Sequence, residues 1–102
     1  MKIAIAVTTS ETDAQVSMHG ARAPYYLFLD TKSGLSESIP NPVSQTEKAA
    51  GRKAASFLIS RGIDKVVAGD FGPKFRAELE GGGINCTEMA GTVSEIIAEL
   101  RY

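Results

Sequence analysis

The order in which strand-like and helix-like segments follow one another constrains this chain more than any other feature. Residues 2–7 read Lys-Ile-Ala-Ile-Ala-Val, a short run that is apolar on both faces and predicts a central strand covered on both sides. Residues 25–30 and 35–39 predict two strands joined by a tight turn, which makes an antiparallel hairpin. Residues 63–68 and 84–89 predict two further short strands, each with a helix pattern before and after it.

Three helices are predicted from their start signals and from apolar stripes at helical spacing. Ser44 and Glu47 form a capping-box pattern ahead of the first helix, and Thr92 and Glu95 form another ahead of the third. Pro73 suits the first position of the second helix. The stripes of the first and third helices are Ala50, Ala54, Phe57 and Leu58, and Val93, Ile96, Ile97 and Leu100.

The predicted order is therefore β-β-β-α-β-α-β-α, and a strand–helix–strand unit implies a right-handed parallel crossover. A five-stranded mixed sheet in the order 3-2-1-4-5, with three helices distributed over both faces, satisfies these constraints. The chain has 102 residues, which is the size of one α/β domain with its own core. We therefore expect residues 1–102 to form a single domain.

Charge and composition exclude several function classes. The 11 basic and 12 acidic residues give a net charge of −1, which argues against nucleic-acid binding through a basic face. No apolar run approaches the ~20 residues of a membrane span, and the N-terminus shows no signal-peptide pattern, so a cytoplasmic location is expected. Cys86 is the only cysteine and is interpreted as a small core residue. A monomer is the expected state.

The long connection over residues 8–24 carries most of the functional information. It contains the only histidine, His19, and Arg22 follows three residues later. Because ligands bind outside the carboxyl ends of the parallel strands in open α/β sheets, residues 8–24, 69–73 and 89–92 should meet at one edge. The last two segments lead into helix starts, whose unpaired amides favour an anion. The sequence therefore predicts a shallow, glycine-lined cleft for an anionic ligand, and His19 would allow that ligand to be one that contains metal.

Each of these features also has a simpler interpretation. Glycines between a strand and a helix, such as Gly69 and Gly72, are often needed for geometry alone. A lone histidine is frequently a hydrogen-bonded loop residue, and Arg22 can tie down the loop through backbone carbonyls. Nothing in the sequence provides a spaced catalytic set, and the central strand carries no carboxylate for a two-metal nuclease. The chain is therefore predicted not to be an enzyme.

Three motifs resemble one known family. Residues 16–26 read Val-Ser-Met-His-Gly-Ala-Arg-Ala-Pro-Tyr-Tyr and resemble the Val-Ser-x-His-Phe-Gly-Arg-Ala-Pro-Tyr-Phe signature of the dinitrogenase iron–molybdenum cofactor biosynthesis family. Residues 68–73 are similar to its Ala-Gly-Gly-Ile-Gly-Pro turn, and residues 91–93 resemble the turn before its last helix. The resemblance covers essentially the whole chain. It implies a ribonuclease H-like α/β fold without nuclease residues, in proteins linked to nitrogen fixation.

The resemblance also implies a function. It predicts a non-enzymatic carrier for an anionic iron–sulfur cluster or an iron–molybdenum cofactor precursor, with cofactor-assembly or acceptor proteins as partners. His19 matches the position of the family's proposed cluster ligand. The residues assigned to the cofactor are Ser17, His19, Arg22, Gly69, Gly72, Gly91 and Thr92, with His19 as the metal ligand.

Two departures from the family pattern favour an alternative function. The family's Phe-Gly after the histidine is replaced by Gly20 and Ala21, and its first turn glycine is replaced by Asp70. These changes remove an apolar wall and add a negative charge at the mouth of the predicted cleft. The alternative is a small regulatory or partner-binding module that keeps the fold without binding a cluster.

Overall fold

A computed structural model describes residues 1–100 of the chain as five strands and three helices. The elements, in chain order, are β1 (Lys2–Val7), β2 (Tyr25–Asp30), β3 (Ser36–Pro40), α1 (Ala50–Ser60), β4 (Lys65–Ala68), α2 (Pro73–Gly81), β5 (Asn85–Glu88) and α3 (Val93–Leu100). The strands form one sheet in the order β3-β2-β1-β4-β5. β1 pairs antiparallel with β2 and parallel with β4, and β5 is parallel to β4. The predicted topology is confirmed.

β1 lies at the centre because its side chains serve two separate cores. Ala4 and Ala6 face a core formed with α1 and α2, where their small size lets the helices approach the sheet. Ile3, Ile5 and Val7 face the opposite core, which is closed by α3. All five residues are at most 1% exposed. The prediction of helices on both faces of the sheet is therefore confirmed.

The predicted start of the first helix is wrong. Ser44 and Glu47 do not form a capping box; α1 begins at Ala50, after Ala49 in a left-handed conformation (φ 58°) with no side-chain cap. Ser44 lies in a turn, where its amide donates to the Asn41 carbonyl at 3.2 Å. Arg22 donates to the Glu47 carbonyl at 3.5 Å, so contacts from elsewhere in the chain hold this segment outside the helix.

The capping box predicted for the third helix is confirmed. The Thr92 amide donates to Glu95 Oε1 at 2.9 Å, and the Glu95 amide donates to Thr92 Oγ1 at 3.4 Å. The helix then begins at Val93, as the apolar stripe predicted. Both members of this pair belong to the same helical turn, so no other part of the chain has to be placed for them to meet.

Strand boundaries differ from the prediction by one or two residues. β4 and β5 begin at Lys65 and Asn85, which pair with each other, and β3 extends to Pro40, which pairs with Tyr25. Proline is tolerated there because β3 is an edge strand. No helix within residues 1–100 is both long enough and apolar enough to cross a membrane.

Candidate functional site

The three connections predicted to meet at one edge of the sheet do meet there. The Ser17 amide donates to the Ala6 carbonyl of β1 at 2.8 Å, and the Ser17 carbonyl accepts from the Gly69 amide at 2.8 Å. The Val16 amide donates to the Gly91 carbonyl at 2.9 Å. Residues 15–17 therefore lie across the ends of the parallel strands and join all three connections.

The segment that carries the histidine is fixed by polar contacts to its backbone. The Ser17 hydroxyl accepts from the His19 amide and donates to the His19 carbonyl, both at 3.2 Å. The Gly20 amide donates to the Asp70 carbonyl at 3.0 Å, and the Tyr26 hydroxyl donates to the Gly20 carbonyl at 2.6 Å. The Ser17 hydroxyl, predicted to contact a cofactor, is thus bonded to the loop backbone. The His19 side chain remains exposed.

A cleft of about 360 Å³ opens beside His19. It lies between residues 19–22, the first turn of α1 and residues 70–75. Arg22 and Lys74 line it, and both are exposed. The geometry brings together the imidazole, two cationic side chains and the turn that leads into α2, which are features that suit an anionic ligand.

The helix starts at this cleft are those of α1 and α2. The residue before α2, Gly72, has φ 72° and ψ 157°, a conformation that essentially only glycine adopts, and no side chain caps this start. Ala49, before α1, also provides no side-chain cap, and Ala50 and Gly51 line the cleft. Uncapped helix starts present backbone amides and the positive end of the helix dipole.

The start of α3 differs from these two. Its amides are bonded within the protein: Val93 donates to the Ala14 carbonyl at 3.0 Å and Ser94 to Asp13 Oδ1 at 2.8 Å, besides the Thr92–Glu95 pair. Gly91 and Thr92 are not among the residues that line the cleft. The sequence predicts that the starts of α2 and α3 lie together at the cleft, and this is wrong for α3, because the starts of α1 and α2 line it.

Two glycines in this region are explained by close packing. A Cβ atom at Gly69 would lie 2.6 Å from Met18 Sδ and 2.9 Å from Met18 Cα, so Gly69 lets residues 17–18 pack on the turn. A Cβ atom at Gly20 would lie 2.8 Å from the Phe75 ring. Phe75 thus occupies space directly beside Gly20, where the family pattern has a phenylalanine. Phe75 therefore provides an apolar contact beside Gly20 at the cleft, although it is itself almost fully buried.

The charged residues near the cleft have mixed roles. Arg22 donates to the carbonyls of Thr46 and Glu47, which is the backbone-tying role predicted as its simpler interpretation, and it also lines the cleft. Asp70 lines the cleft and is exposed.

Two features of the cleft, Lys74 and the start of α1, were not predicted from the sequence. Lys74 directly follows the Gly-Pro turn, a position at which a cation would adjoin any anion held at the helix start.

His19 does not belong to a metal site built from several protein side chains in the described part of the chain. Within residues 1–100, no three His, Cys, Asp or Glu side chains are grouped so that they could hold a metal ion. Burial raises the pKa of the Cys86 thiol in β5, which disfavours the thiolate that metals bind. Any metal at His19 therefore has to bring most of its own ligands, as a preformed cluster does.

The fold and the cleft define a small α/β domain with one exposed imidazole beside helix starts at the carboxyl edge of its sheet. The chain belongs to the dinitrogenase iron-molybdenum cofactor family, whose sequence profile matches residues 1–101.

Solved structures are similar over nearly the whole chain. The apo form of the orange protein from Desulfovibrio gigas is 27% identical with a TM-score of 0.89, covering 98% of this chain and 86% of that one. A Thermotoga protein described as a candidate NifB protein is 28% identical with a TM-score of 0.83, with the same coverage of both chains. Among curated protein sequences, none is significantly similar to this chain.

Proposed function

We propose that this protein is a non-enzymatic carrier of an anionic iron–sulfur cluster or of a precursor of the iron–molybdenum cofactor. The observation that carries the proposal is the cleft in which His19, Arg22 and Lys74 meet the uncapped starts of α1 and α2. Family membership and the match to a protein described as an apo form support the same conclusion.

The chemistry of the cleft suits such a cargo. A neutral imidazole nitrogen is a common metal ligand. One exposed histidine can therefore bind a cluster that brings its other ligands, such as its sulfides, with it. Helix starts favour a negative charge by about 0.3–1 kcal/mol each when exposed. Two starts and two cations thus stabilise an anion in proportion to its charge. Because His19, Arg22 and Lys74 are exposed at the cleft, a ligand bound there can be reached by assembly or acceptor proteins, which we propose as the partners.

A second candidate function is a regulatory or partner-binding module. It is favoured by the engagement of Ser17 and Arg22 with backbone atoms, since both groups have hydrogen-bond partners within the protein without a ligand. The exposed carboxylate of Asp70 at the cleft is also unfavourable for an anion.

Anaerobic reconstitution separates the two functions. Untagged protein is incubated with ferrous iron and sulfide, desalted, and assayed by visible absorbance and by iron content, alongside His19→Ala. His19→Ala removes the only imidazole of the chain, and Gln15→Ala, an exposed residue of the same connection, is the matched control. Loss of a metal ligand should weaken uptake by at least the ~10–100-fold that is typical of an outer-shell partner.

Each result has a defined meaning. Uptake by the wild type and by Gln15→Ala, but not by His19→Ala, supports the carrier function with His19 as ligand. Equal uptake by all three proteins removes His19 from the proposal. Absence of uptake by the wild type contradicts the carrier function for this cargo and favours the partner-binding module.

A further inference from the structure

Asn41 is a buried polar residue that the binding chemistry described above does not use. It lies in the connection between β3 and α1 and is 4% exposed. Its Nδ2 atom donates to the carbonyls of Ala21 at 2.9 Å and Ala23 at 2.8 Å, while Oδ1 accepts from the Val43 amide at 3.0 Å. Both amide protons and the oxygen are therefore engaged, and the orientation of the side chain is determined by its partners.

The two carbonyls that Asn41 binds flank Arg22. The backbone on either side of that residue is thereby held by one side chain. The guanidinium of Arg22 in turn donates to the carbonyls of Thr46 and Glu47. The connection over residues 41–47 thus holds Arg22 at its backbone and at its side chain, and it leads directly into the start of α1 that lines the cleft.

A second buried group fixes the other end of the same segment. The Tyr26 side chain is fully buried in β2, and its hydroxyl donates to the Gly20 carbonyl at 2.6 Å. Burial raises the pKa of Tyr26, so its hydroxyl remains a donor throughout the physiological range. Consecutive carbonyls of the loop, at Gly20 and Ala21, are therefore each bound by a buried side chain.

We propose that Asn41 is a positioning residue that holds residues 20–23 in the binding conformation before any ligand arrives, with Tyr26 as the second anchor. The proposal rests on the carrier function proposed above, because it concerns the affinity of that cleft. Preorganisation raises affinity because the loop is ordered during folding and does not have to be ordered on binding. Asn41 touches no ligand in this arrangement and acts only through the loop.

The substitution that tests this most directly is Asn41→Asp. It preserves the shape of the side chain, removes both donors and sets a carboxylate against two carbonyls. Asn85→Asp is the matched control, since it makes the same charge change at an exposed position in β5. Tyr26→Phe removes only the hydroxyl, with Tyr25→Phe as its control. Should Asn41→Asp fail to fold, Asn41→Ser keeps the site neutral while it loses the double contact.

The first measurement needs no ligand. Hydrogen exchange is followed by NMR at the Gly20 amide, which donates to the Asp70 carbonyl, and at the Ile5 amide of β1 as a reference. We expect Gly20 to exchange about tenfold faster or more in Asn41→Asp and in Tyr26→Phe, with Ile5 unchanged. Unchanged exchange at Gly20 overturns the proposal whatever the binding result.

The second measurement is the iron–sulfide reconstitution at a temperature at which circular dichroism shows every variant to be folded. We expect uptake to weaken about tenfold in Asn41→Asp and Tyr26→Phe and to stay at the wild-type level in both controls. Faster exchange with wild-type uptake shows that Asn41 has a structural role only and overturns the proposal. If the wild type takes up no cluster, the carrier function fails together with the role of Asn41 in it, whereas faster exchange still shows that Asn41 holds the loop.

Discussion

The starts of α2 and α3 lie at the same edge of one sheet and follow similar glycine turns, yet they differ in what their amides bind. At α3 the amides of residues 92–95 donate to acceptors on the loop or in the first helical turn. At α2 no side chain caps the helix, and the turn opens on the cleft beside His19. A glycine turn at the carboxyl edge of a sheet therefore offers its amides to an anion only where no other part of the chain bonds them.

The two glycines that precede these helices provide the largest expected effect. Gly72 has φ 72° and Gly91 has φ 121°, so alanine at either position is strained, by about 1–3 kcal/mol of unfolding free energy. Urea denaturation should show this loss for both Gly72→Ala and Gly91→Ala. Only Gly72→Ala should also weaken iron–sulfide uptake. Gly81→Ala, at a position with no positive φ and no close neighbour, is the control and should not destabilise.

The cap of α3 should contribute to stability and not to binding. Thr92→Ala removes the hydroxyl that accepts from the Glu95 amide, at an expected cost of about 0.5–2 kcal/mol in urea denaturation. Uptake by the folded variant should equal that of the wild type. Weaker uptake would show that this helix start takes part in the site after all.

Lys74, unlike Thr92, should contribute to binding and not to stability. Lys74→Gln removes an exposed charge at the cleft, so the free energy of unfolding should change by no more than about 0.5 kcal/mol. Affinity for the anionic cluster should fall a few-fold at low ionic strength, and the difference should shrink at high salt because exposed charges are screened. Lys32→Gln, in the turn after β2, is the matched control. A salt-independent loss would contradict a purely electrostatic role.

The smallest expected effect is that of Asp13 on the free energy of unfolding, and it is tested by the pH dependence of stability. Its carboxylate accepts from the Ser94 amide, which lowers its pKa below the usual value of 3.8. A lowered pKa in the folded state means that Asp13 stabilises the protein above about pH 4 and loses this contribution as the pH falls through the folded-state pKa. Stability measured from pH 7 to pH 2 should therefore fall less steeply in Asp13→Asn. An unchanged slope would show that this contact does not stabilise the start of α3.

The sheet order was predictable because local patterns carry it. Few arrangements of five strands satisfy the three local patterns, which are the β1 segment that is apolar on both faces, the hairpin and the two strand–helix units. The cap at Thr92 was also predictable, since its partner, Glu95, lies three residues away. The same capping box already indicated that the amides of α3 are used, so the sequence held the reason why that helix start does not face the cleft.

The start of α1 was not predictable from local pattern. Ser44 and Glu47 match a capping box, but Asn41 and Arg22 hold that segment through contacts that exist only once the sheet has formed. The proximity of Phe75 to Gly20 could not be predicted for the same reason, since these residues are far apart in the chain and meet only in the folded protein. Local signals fixed which segments meet at the edge, and long-range packing decided which of their groups face the cleft.

The alternation of small and large side chains along β1 has an evolutionary consequence. Ala4 and Ala6 face the layer that contains the cleft, whereas Ile3, Ile5 and Val7 face the layer under α3. Substitutions in the core under α3 that leave Ala14 and Val16 in place can therefore be accommodated without changing the layer that contains the cleft. The converse also holds, so residues that line the cleft can change in a descendant while the scaffold of the sheet and α3 stays intact.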